Sequence, residues 1–81
     1  MKTRHAKTIR DGILDGRAMA IMVALLNVPE LYAVNMASFN RPAYPWRLKL
    51  YERALARGID QGFDIANNYL LDSIYNEDEG E

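Results

Sequence analysis

The chain has 81 residues, 49% hydrophobic and 26% charged, with a formal net charge of −1 and no cysteine. That length holds one domain with one modest core, and the apolar content is too high for a disordered chain. Without cysteine there are no disulfides, thiolate nucleophiles or cysteine-ligated metals, which suits a reducing, cytoplasmic location. The small net charge hides a partition: ten Lys and Arg against four acids over residues 1–57 sum to +6, and seven acids over residues 58–81 sum to −7. Opposite fields of this kind orient partners or a second copy of the same chain.

The longest uninterrupted apolar run, Ala18 to Leu26, is nine residues. A membrane span needs about 20, so a core helix is expected there and no membrane contact. Lys2, Arg4 and Lys7 precede the run, but Asp11, Asp15 and Arg17 interrupt what would be the apolar centre of a signal peptide.

The first predicted helix covers Thr8 to Asn27, with Ile9, Ile13, Ala20 and Ala24 at helical spacing. Gly12, Gly16, Ala20 and Ala24 fall four apart, leaving one stripe almost without side chains. Two readings of the stripe are open. Either it admits a close helix crossing, or Asp11-Gly12 and Asp15-Gly16 are turns and Asp15 caps a shorter helix. Asn27-Val28-Pro29 ends the helix, because the residue before a proline is pushed out of the α region. Pro29 suits the start of a short second helix to about Ala37, with Tyr32, Met36 and Phe39 as its apolar contacts.

Ser38 to Pro45 reads as the main loop, and Pro45 opens a third helix with Leu48, Tyr51, Ala54 and Leu55 inward. Gly58 is placed to end that helix in a left-handed cap, followed by a tight hairpin and a fourth helix capped by Asp60. Ile59, Phe63, Ala66, Leu70 and Ile74 form the apolar stripe of this fourth helix. The expected fold is an all-α, single-domain bundle of about four helices over residues 1–76, with an acidic, solvated C-terminal tail over residues 77–81.

Catalytic chemistry finds few candidates, so an enzyme is not expected. His5 is the only histidine, and Ser38 and Ser73 have no base near them in sequence. Asp60, Asp64, Asn68 and Asp72 share four-residue spacing, which suits a hard cation. An amphipathic helix also turns such a face to water, and that reading leaves no metal and no cofactor. Lys49, Arg53 and Arg57 make a cationic stripe on the third helix, and Arg41 and Arg47 flank its start. The segment Arg41 to Arg47 also carries Tyr44 and Trp46 between two prolines. Trp, Tyr and Arg carry much of the binding energy at interfaces, and proline limits the entropy lost on docking.

The sequence therefore points to a small interaction protein, an adaptor or inhibitor that binds and blocks or bridges another macromolecule. Its partner-binding residues would be Arg41, Tyr44, Trp46, Arg47, Lys49, Arg53, Arg57, Asp60, Asp64 and Asp72. A protein partner is favoured; in one variant the acids imitate a phosphate backbone and occupy a nucleic-acid site. The alternative is a nucleic-acid-binding regulator with its cations on phosphates. The undersized core and the paired charge poles favour a homodimer, against a monomer whose acidic tail lies on its own basic helix.

Overall fold

The stripe of small residues in the first helix sets the architecture. The computed structural model describes the backbone of residues 3–79 and the side-chain surroundings of residues 3–74. It contains α1 (Thr3–Leu26), α2 (Glu30–Met36) and α3 (Pro45–Glu79), with no strand among the described residues. Gly12 lies on Ala54, Gly16 on Gly58 and Ala20 on Gly62, each pair 42 residues apart. A constant difference between paired positions, not a constant sum, means that α1 and α3 run parallel. Thr8 beside Arg47 and Arg17 beside Gln61 keep the same sense.

The backbones touch along this crossing. A Cβ on Gly12 would lie 2.7 Å from the Tyr51 carbonyl oxygen, and one on Gly62 would lie 2.7 Å from the Ala20 Cβ. The close-crossing reading of the stripe is therefore the right one, and Asp15 sits inside α1 instead of capping a later helix. The expected break at Gly58 does not occur. Gly58 keeps a negative φ, and α3 passes through it, because its missing side chain is what lets the Ile13 backbone come down on it. About 1 kcal/mol of helix propensity lost at each interior glycine is exchanged for backbone contact across the pair.

A parallel pair needs a return connection, and residues 27–44 supply it. Asn27, with φ at 56°, is the left-handed residue that ends α1. The Val28 amide then donates back to the Met22 carbonyl at 3.1 Å, closing the chain reversal over the last turn of α1. Pro29 precedes α2, which comes back along α1 with Ala33 and Ala37 buried. The apolar contacts expected from Tyr32, Met36 and Phe39 are not made; these three are 54 to 75% exposed. The small alanines face α1 because the connection lies close against it.

Three helices thus replace the four expected, in a slab of 54 × 28 × 14 Å. The helix also continues to Glu79, into the segment expected as a tail; Gly80 and Glu81 lie outside the described residues. Of the inward residues expected on α3, Tyr51, Ala54 and Ala66 are buried and Leu48, Leu55 and Ile59 half-buried. Leu70 and Ile74 are 43 and 56% exposed, since α3 outruns α1 and neither α1 nor α2 covers its far end, whereas Phe63 lies beside α1 and is 37% exposed. No described helix is long and apolar enough to cross a membrane.

Candidate docking surfaces

One buried polar cluster fixes the return loop. Asp15 is 2% exposed, and both of its carboxylate oxygens are occupied. Oδ2 accepts from the Tyr51 hydroxyl at 2.7 Å and from the Asn40 backbone amide at 3.0 Å, and Oδ1 accepts from the Asn40 side-chain amide at 3.0 Å. Three donors stand in for the water removed from the carboxylate. Burial, then the bond to Asp15 and its charge, push the Tyr51 hydroxyl far above its ordinary range. This latch ties α1, α3 and the loop before α3 together, and so anchors the segment that leads to Tyr44 and Trp46. Sequence reasoning missed it, because the partners of Asp15 lie 25 and 36 residues away. The available signal was an acid flanking a glycine in the crossing stripe.

The latch leads to a basic, aromatic end. Because α1 and α3 are parallel, their N-termini lie side by side. Arg4 of α1 therefore joins Arg47 of α3 at one extremity, while exposed Arg41 follows Asn40, whose latch partner Asp15 lies midway along α1. Neither helix has an acid in its first turn or a base in its last, so side-chain charge adds to the helix dipoles instead of offsetting them. Tyr44 is 63% exposed, and Trp46 is 48% exposed with its ring edge-on to His5 at 5.5 Å between centroids. Arg47 is half-buried, donating to the Thr8 hydroxyl at 3.2 and 3.3 Å, while that hydroxyl donates to the Arg4 carbonyl at 2.9 Å. Arg4, Tyr44, Trp46 and Arg47 line one shallow open pocket.

The remaining expected residues lie along α3. Lys49, Arg53 and Arg57 are exposed, followed on the same helix by exposed Asp60, Asp64 and Asp72. The fold does not bring this acidic run to the aromatic end. Nor does the chain fold its acids back on its cations: α3 carries Glu77 to Glu79 about 30 Å beyond Arg57 at 1.5 Å per residue. Among the described residues no three His, Asp or Glu side chains gather in a metal-binding group. The one ion pair among them joins Lys7 to Asp11 at 2.9 Å. An apolar groove of about 210 Å³ lies between α2 and α3, with Met19, Val23, Ala33, Ile59 and Phe63 among its walls.

Compared with models of protein families, with curated proteins and with solved structures, the chain matches none.

Proposed function

We propose that the protein is a non-enzymatic docking piece that recognises an acidic surface of a protein partner through its basic, aromatic end. Arg41 and Arg4 supply long-range attraction, Tyr44 and Trp46 supply area to bury, and Arg47, held on Thr8, supplies an oriented guanidinium. The observation that carries this reading is the parallel helix pair, which gathers cations, two helix N-termini and two exposed aromatic rings at one extremity. Attraction between opposite potentials sets encounter and orientation, while desolvated aromatic anchors set lifetime. Blocking or bridging then follows from occupying the partner's acidic face.

The test is affinity capture with the wild-type chain and with Tyr44→Ala and Trp46→Ala. A specific protein is recovered by the wild type, and its affinity falls about tenfold or more with either variant, the scale of an interface anchor. Recovery of nucleic acid alone refutes the reading. The same end also supports a second reading, since cations beside stackable rings are what single-stranded nucleic acid binds. In that case labelled single-stranded DNA binds at low salt, and the affinity falls steeply as salt rises.

A further inference from the structure

The solvent face of α3 carries a pattern that its own fold does not use. Arg53, Arg57, Asp60 and Asp64 are all exposed and spaced four, three and four apart. Continuing the same alternation reaches Leu50 and Trp46 on one side and Asn67 and Leu71 on the other. That is the spacing of a helix-pairing seam, turned roughly 130° around the helix from the Gly58 face that α1 covers. Read backwards, the seam is its own complement. Trp46 stands as far from the midpoint between Gly58 and Ile59 as Leu71 does, and Leu50 as far as Asn67. Arg53 matches Asp64 in the same way, and Arg57 matches Asp60.

We propose that α3 pairs antiparallel with α3 of a second copy of this chain along this seam. Each Arg53 then meets the partner copy's Asp64, each Arg57 its Asp60, and each Trp46 its Leu71. Within one copy the seam is frustrated. Arg53 and Arg57 are like charges at helical contact distance, as are Asp60 and Asp64, and such neighbours repel. None of the four forms an ion pair among the described residues. An antiparallel copy interleaves them, so that each like-charge neighbour gains an opposite charge, while a parallel copy sets Arg against Arg. Charge alone contributes little on a surface, so the ends of the seam matter. Trp46 and Leu71, 48 and 52% exposed, give two apolar anchors related by the two-fold axis.

The inference needs no partner other than the chain itself; it claims the Trp46 ring for the second copy and leaves Arg4, Tyr44 and Arg47 at the end for docking.

The experiment uses the full chain, with helicity of every variant checked by circular dichroism. Sedimentation equilibrium at about 100 μM and low salt gives the dimer mass for the wild type, and emission from Trp46, the single tryptophan, shifts to the blue as the dimer forms. Arg53→Asp with Arg57→Asp makes an all-acidic seam, and Asp60→Arg with Asp64→Arg an all-basic one. Each of these is monomeric alone, the dimer weakened tenfold or more. Mixed one to one, they form a heterodimer, and all four changes in one chain restore the homodimer. A monomeric wild type overturns the proposal. So does a mixture that stays monomeric, or a single-sign variant that dimerises as tightly as the wild type.

Discussion

Gly16→Ala is the substitution that most directly probes the helix crossing, because two opposite effects meet at one atom. In an isolated helix the change stabilises by about 1 kcal/mol, through lower backbone entropy in the unfolded chain. Here the new Cβ collides with the Leu55 carbonyl oxygen and stands 2.8 Å from the Ile59 nitrogen and 3.0 Å from the Gly58 carbonyl carbon. All three are backbone atoms, so no rotamer change relieves the clash and the helices must separate. Overpacking of a rigid site costs about 1–3 kcal/mol, and this one belongs at the top of that range. After the propensity gain, a net loss of about 1–2 kcal/mol remains. For a domain of this size that lowers Tm by about 5–15 °C in a thermal melt followed by circular dichroism. Asn68→Ala, exposed on the same molecule, is the contrast: propensity acts alone there and Tm rises slightly. Gly58→Ala should lower Tm like Gly16→Ala, and the double variant should lose less than the two single losses together, since one separation of the helices serves both. A Tm for Gly16→Ala at or above that of the wild type refutes the backbone contact.

The other predictions concern the latch and the aromatic end. Asp15→Ala leaves the buried Tyr51 hydroxyl and the Asn40 amide without their acceptor, and should cost about 3 kcal/mol in urea unfolding. The Tyr51 hydroxyl stays protonated in the fold above pH 10.0, where the unfolded chain releases the proton. Stability is therefore complete below pH 10 and falls as pH rises beyond it, by up to about 1.4 kcal/mol per pH unit from this group. Tyr51→Phe should be less stable near neutral pH, but with a shallower alkaline decline measured by urea unfolding from pH 9 upward. An equal slope in both proteins would remove Tyr51 as its source. Tyr44→Ala, at 63% exposure, should change Tm by no more than about 2–4 °C while weakening partner capture, because surface substitutions rarely move stability by more than about 0.5 kcal/mol.

Local signals carried well from sequence to structure. Asn27 and Pro29 end one helix, Pro45 opens another, and the spacing of Tyr51, Ala54 and Leu55 marks an inward face, because each effect acts within one or two turns. Gly58 did not carry over. By local rules a glycine followed by isoleucine and aspartate ends a helix and starts another, but here the facing element is the backbone of Ile13, 45 residues earlier. The role of Asp15 was hidden for the same reason. Tyr44, Trp46 and Arg47 stood out by residue type, but the end they share with Arg4 did not. That grouping needs the direction of α3 relative to α1, which no residue pattern within either helix contains.

The parallel direction looks electrostatically unfavourable, and its magnitude explains why it is tolerated. Two helix termini carry about half a charge each; at about 8 Å and an effective dielectric near 20 their repulsion is about 0.5 kcal/mol at each end, and in water it is smaller. One mispacked methyl at the crossing costs more than that. Packing therefore chooses the direction, and the sequence then adds cations where the dipoles are already positive. The result is an exposed face of α3 whose sign changes once, between Arg57 and Asp60. A helix that changes sign at its middle is complementary to itself only when reversed. The crossing that buries glycine on one side of α3 thus leaves on the other side a charge pattern that is its own complement when inverted.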